Sequence, residues 1–191
     1  VAAITERAMR GELDFSQSFS ERLGLLRNLD ASTAVEIAKS LPYTDGAREL
    51  MTTLRARGVR TVIISGGFSL FADHVATELG MDEYFANTLE VVDGLLTGVA
   101  ISPIVNAEYK EAKLREIADS MGITLRQTLA VGDGANDLKM LNAAGIGVAF
   151  RAKPGVRGQA RDQISTGGLG GALSFLGKKA SQQRSPPARS R

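Results

Sequence analysis

The chain has 191 residues, 43% of them hydrophobic and 23% charged, enough for one globular domain with a real core and a small second one. The lack of cysteine excludes disulfides, thiolate catalysis and cysteine zinc sites, and the single histidine, His74, excludes a multi-histidine metal centre. The formal charge of +2 belongs to the last fifteen residues, where Lys178, Lys179, Arg184, Arg189 and Arg191 stand without an acid; setting those five of the 23 bases aside leaves 18 against 21 acids.

That stretch, residues 177–191, is rich in Ser, Gln and Pro and is expected to be a disordered basic tail, which is poor ground for a nucleic-acid partner. No apolar run approaches the ~20 residues a membrane helix needs. Nor does a basic segment followed by an apolar one open the chain, so a cytoplasmic protein without a membrane partner is expected.

The first residue is Val1, and an amphipathic helix is already under way over residues 2–10, which suggests a chain cut at its start. Gly11 to Asp14 breaks that helix. A second helix carries Phe15, Phe19, Arg22, Leu23 and Leu26 at helical spacing, and a third places Ala34, Ile37, Ala38 and Leu41 on one face before Pro42. Residues 1–41 therefore read as a small helical domain that buries too little to stand alone.

Residues 42–176 read differently. Asp45-Gly46 opens a helix with Ala47, Leu50, Met51 and Leu54 on one face, closed by Gly58. Val59 to Ser65 has the continuous apolar centre of a buried strand, ended by Gly66-Gly67 and followed by a helix. Strands are expected on both sides of Asp93-Gly94, a hairpin signal. A helix over 110–121, a strand over 128–131, a helix over 135–144 and a strand over 146–150 follow. This alternation predicts an α/β fold, a parallel sheet with helices on both faces. Beyond Gly155 the pattern weakens.

Four features suggest chemistry. Ser65-Gly66-Gly67 at a strand end offers a hydroxyl and unhindered N–H groups to an anion, or else is a packing turn. Lys110 at the start of a helix opposes the helix dipole, which suits the neutralisation of a phosphate, though Lys113 lies one turn on. Asp133, Asn136 and Asp137 follow a strand among glycines, as befits a divalent cation and an anionic ligand; Asp133 and Asp137 also suit a helix cap and first turn. Arg22 on an apolar stripe either snorkels to water or grips a carboxylate. The glycines of 167–171 form no Walker loop, and Asp133 to Leu141 forms no EF-hand.

In order and spacing, Met9-Arg10-Gly11-Glu12-Leu13-Asp14-Phe15, Ser65-Gly66-Gly67-Phe68, Lys110, residues 130–137 and Phe150-Arg151-Ala152-Lys153-Pro154 resemble the haloacid-dehalogenase-like phosphatases, and within them the phosphoserine phosphatases. The resemblance implies a Rossmann-like core with a small helical cap, and Mg²⁺-dependent hydrolysis of O-phospho-L-serine, a small phosphate ester, to serine and phosphate in serine biosynthesis. It implies that Asp133 binds Mg²⁺ with Asp137 supporting it, and that Ser65, Gly66 and Lys110 hold the phosphate. Asn136 would contact phosphate or substrate, and Arg22 the substrate carboxylate, with Met9 and Phe15 closing over it.

Such phosphatases begin with a strand ending in Asp-x-Asp-x-Thr, which supplies the nucleophile and the general acid/base. No such motif occurs in the 191 residues, and a cap glutamate is missing too. The motif strand lies mid-sheet in this family, so the chain alone is expected to fold poorly and not to turn over phosphoserine. The rival readings are a related phosphatase or phosphotransferase, and a non-catalytic relic that binds phosphorylated ligands.

Overall fold

The computed structural model describes residues 2–176; the side chains of Thr5, Ala8, Met9 and Phe15 lie outside the description, as does the basic tail of residues 177–191. Two compact units divide the chain, Val1–Lys110 and Glu111–Arg191.

The first unit opens with α1 (Ala2–Met9), α2 (Phe15–Gly24) and α3 (Ala31–Ser40). Asp14 and Gln17 make a reciprocal capping box at the start of α2, and Asp30 caps α3 through the Ser32 N–H at 2.7 Å. Either cap is worth about 1 kcal/mol. Leu41 is extended, as a residue before proline prefers, and α3 stops there. Ala34 and Ala38 are buried, but Ile37 and Leu41 of the face expected to point inward are about half exposed.

Next come α4 (Ala47–Ala56), β1 (Val62–Phe68), α5 (Ser69–Leu79), β2 (Glu83–Val92) and β3 (Leu95–Ile101). The sheet order is β1-β2-β3, parallel then antiparallel, and Asp93 and Gly94 both take positive φ in the hairpin, as the Asp-Gly pair predicts. Leu23 of α2 joins Leu89 of β2 and Leu96 of β3 in one buried cluster, flanked by Phe19, Phe68 and Leu70. Full burial of a leucine contributes about 1.5–3 kcal/mol, so the helical segment draws its core from this hairpin.

The divide between the units falls within α6 (Ala107–Ser120). Beyond it lie β4 (Leu129–Gly132), α7 (Leu138–Ala143), β5 (Ile146–Phe150), α8 (Pro154–Arg157) and β6 (Asp162–Ile164), with 3₁₀ turns at Leu125–Gln127, Ala135–Asp137 and Leu169–Phe175. Strands β4, β5 and β6 form a second, wholly parallel sheet in that order. Gly147 of β5 lies against the backbone of Leu141 in α7, where a Cβ would overlap the Leu141 carbonyl oxygen.

The fold is thus α/β with parallel ladders and helices, as the alternation predicts. The strands form two three-stranded sheets, and among the described residues β1 pairs only with β2 and β4 only with β5. With one edge unpaired, β1 is half-buried rather than fully buried. The weakly patterned stretch after Gly155 adds β6, three residues too short to show periodicity.

Candidate phosphate and metal elements

In the first unit the anion candidate is a bulge. Gly66-Gly67 does not end β1, as the sequence suggests; the strand runs on to Phe68. Ser65 pairs with Ala86 and Phe68 with Asn87, so the two glycines have no ladder partners opposite them. Within the bulge, the Gly67 N–H donates to Ser65 Oγ at 3.0 Å, and the Gly66 carbonyl accepts from Asn87 Nδ2 at 2.9 Å. With Oγ already accepting, the Ser65 hydroxyl keeps its proton to donate, which suits an anion carrying only acceptors.

Lys110 is buried at 5% exposure and sits in the first turn of α6, three residues after its start rather than opening it. Asn106 organises that turn: its Oδ1 accepts from the Tyr109 N–H at 2.8 Å and its carbonyl from the Lys110 N–H at 3.1 Å. Lys113, the rival lysine, is ion-paired to Glu116 at 2.6 Å. Arg22, in the last turn of α2, is exposed, and no ion pair or hydrogen bond holds its guanidinium among the described residues. The backbones of Met9 and Phe15 bound α1 and α2; their side chains lie outside the description.

In the second unit β4 delivers Gly132-Asp133-Gly134 to a turn that leads into α7. The expected helix over 135–144 is a 3₁₀ turn, Ala135–Asp137, followed by α7. Asp137 is buried at 5% exposure, and its Oδ2 accepts from the N–H groups of Asp133 at 3.1 Å and Gly134 at 2.9 Å. Those bonds hold the turn, and the exposed Asp133 carboxylate has no hydrogen-bond or ion-pair partner among the described residues. Asn136, half-buried, lies over Gly134, where a Cβ would overlap its Oδ1. A side chain at Gly134 would therefore require Asn136 to move.

Among the described residues no three His, Cys, Asp or Glu side chains gather as a metal cage. A Mg²⁺ ion needs only one or two carboxylates, since it keeps waters and binds substrate phosphate. The hard, free carboxylate of Asp133, on a turn braced by Asp137, fits one such place.

Sequence reasoning gave no role to two residues, although one of them, Arg151, lies in a motif that carries the resemblance. Asn87 is fully buried at 0% exposure, and the signal was available: it falls between Phe85 and Leu89 in the strand's alternation, where an apolar side chain belongs. Arg151 follows β5 at φ 46° and donates from Nε and Nη2 to the Gly167 carbonyl at 3.1 and 2.7 Å, which ties down the loop after β6.

Residues 2–142 match the family model of the haloacid dehalogenase-like hydrolases. The phosphoserine phosphatase of Streptococcus thermophilus is 47% identical over 92% of this chain and 82% of its own length. That of Streptomyces coelicolor is 48% identical over 93% of this chain, which spans 43% of that relative's length. A solved structure called a substrate-bound phosphoserine phosphatase complex superimposes with a TM-score of 0.83 at 38% identity, over 91% of this chain and 83% of the other. The similarity thus runs through both units and takes in β1, the start of α6 and the β4–α7 turn, and the chain belongs to the haloacid dehalogenase-like hydrolases.

Proposed function

We propose that the chain serves the Mg²⁺-dependent hydrolysis of O-phospho-L-serine to L-serine and phosphate, a cytoplasmic step of serine biosynthesis. Hydrolases of this family generally use a metal ion. The observation that carries the substrate is the 47% identity to the Streptococcus phosphoserine phosphatase over 82% of that protein.

In this reading Ser65 donates its free hydroxyl proton to a phosphate oxygen, Gly66 lets the backbone come close, and Lys110 neutralises the anion. Asn136 contacts phosphate or substrate. Arg22 grips the substrate carboxylate with its fork of donors, and Met9 and Phe15 shield the bound ligand. Asp133 holds the Mg²⁺, which when bound offsets negative charge on the phosphoryl group. Asp137 holds Asp133 in place. The residues divide as helical cap 1–41, core 42–176 and basic tail 177–191. Attack on phosphorus belongs to the Asp-x-Asp-x-Thr pair that the 191 residues do not contain, so binding without turnover is expected of this chain alone.

The test is calorimetric titration with phosphoserine and with inorganic phosphate in the presence of Mg²⁺, beside an assay of released phosphate. Both ligands should bind, both should weaken in Lys110→Ala, and only phosphoserine should weaken in Arg22→Ala. An Arg22→Ala chain that binds phosphoserine unchanged would point to a phosphatase or phosphotransferase for an ester lacking a carboxylate. No heat with either ligand overturns the proposal. Phosphate release well above that of Lys110→Ala would place a nucleophile inside the chain.

A further inference from the structure

We propose that Asn87 is a positioning residue for the phosphate-holding elements of the first unit, a role that rests on the reading of Ser65, Gly66 and Lys110 given above. Asn87 is fully buried, and its two amide atoms face different elements. Nδ2 donates to the Gly66 carbonyl at 2.9 Å, and Oδ1 accepts from the Val105 N–H at 2.8 Å. Val105, itself 1% exposed, immediately precedes Asn106, whose side chain and carbonyl set the turn that carries Lys110.

The reason for an amide here lies in the bulge. Gly66 and Gly67 are skipped by the β1–β2 ladder, so the peptide between them needs partners from side chains. Asn87 takes its carbonyl and Ser65 Oγ takes its N–H. The second bond uses the Ser65 oxygen as acceptor and so leaves the hydroxyl as a donor. The orientation of the Ser65 proton therefore depends on Asn87 through one rigid peptide. The same side chain fixes the approach to α6, so that one residue sets the spacing of Ser65 and the Lys110 turn. A carboxamide is the side chain that donates and accepts in opposite directions from one plane; leucine, which the alternation favours, does neither.

The experiment compares the whole chain with Asn87→Asp, which keeps the acceptor for Val105 but replaces the donor facing Gly66 with an oxygen. Inorganic phosphate affinity is read by calorimetry, and protection of the Val105 amide by hydrogen exchange. Leu89→Ala, two residues along β2, serves as a control that loosens the core beside Phe68 but removes none of the bulge's hydrogen bonds. The expected result is a loss of phosphate affinity of about tenfold or more, the scale of one buried hydrogen bond, with Val105 still protected. Leu89→Ala should lose stability but keep its phosphate affinity. If Asn87→Asp fails to fold, Asn87→Ser, too short to reach both partners, should lose phosphate affinity by a similar factor, with the Val105 protection no longer used as a readout. Undiminished phosphate binding in the Asn87 variant, or an unprotected Val105 amide in the parent, overturns the positioning role alone. A parent chain that binds no phosphate overturns the functional reading and this role with it.

Discussion

Replacing Gly132 by alanine adds one methyl group at the most crowded point of the β4–α7 turn. An ideal Cβ on Gly132 would lie 2.6 Å from both Cβ and Cγ of Asp137 and 2.7 Å from its Oδ2. Asp137 is buried, and Oδ2 holds the N–H groups of Asp133 and Gly134. It cannot retreat without straining both bonds and breaking at least one. Hydrogen bonds to a charged group contribute about 1.5–3 kcal/mol each, and overpacking by a methylene elsewhere costs about 1–3 kcal/mol. Loss of one bond with partial relaxation therefore predicts a destabilisation of about 2–4 kcal/mol, against a typical total of about 5–15. Urea unfolding, fitted with a common m-value, measures it. A double-mutant cycle with Asp137→Gly, which removes the clashing atoms, isolates the cause: in that background the added methyl should cost less than about 1 kcal/mol. A Gly132→Ala chain within about 0.5 kcal/mol of the parent, or an equal cost in both backgrounds, would refute the idea that Asp137 is held rigidly against the turn.

Gly147→Ala should destabilise at least as strongly, since its Cβ meets the Leu141 backbone rather than a side chain; thermal unfolding or loss of soluble expression reads it. Asp82 accepts from the Thr61 N–H at 2.6 Å and its hydroxyl at 2.9 Å, and the Thr61 backbone bond, opposed by desolvation, holds its carboxyl below the ordinary value. A carboxyl depressed in the folded state contributes stability above its unfolded pKa, and that contribution is lost as the pH falls through the lower folded value. Asp82→Asn should thus flatten the acid limb of a stability–pH profile below about pH 5 and leave its shape near neutrality unchanged. Asp133→Asn should weaken Mg²⁺ binding about tenfold or more with little change in urea midpoint, because no described group depends on that carboxylate; a large loss of stability would contradict that placement.

Elements whose cause is local were readable in the chain. The hairpin at Asp93-Gly94 needs two residues at positive φ, and both adopt it. The helix at Ala47 follows from its apolar spacing, with Ala47, Leu50 and Met51 buried as the spacing predicts. The motifs around Ser65, Lys110 and Gly132–Asp137 were visible as residue types in order, which was enough to indicate the family.

What the linear chain could not show arises from contacts between distant residues. The run through Val59 to Ser65 marks a strand but not the bulge after it, because skipping Gly66 and Gly67 depends on the register against Ala86 and Asn87. The arginine on the α2 stripe reads as a packing misfit until Leu23 is seen facing Leu89 and Leu96, with Arg22 turned to solvent. Two aspartates four residues apart look equivalent as types. Burial separates them: the Asp137 carboxylate takes up the backbone N–H groups of the turn, and that of Asp133 is exposed. Composition and periodicity thus determined which residues stand near strand ends, while tertiary packing decided the burial and hydrogen bonds of each, because hydrogen-bond satisfaction and exclusion from water are properties of neighbours and not of sequence position.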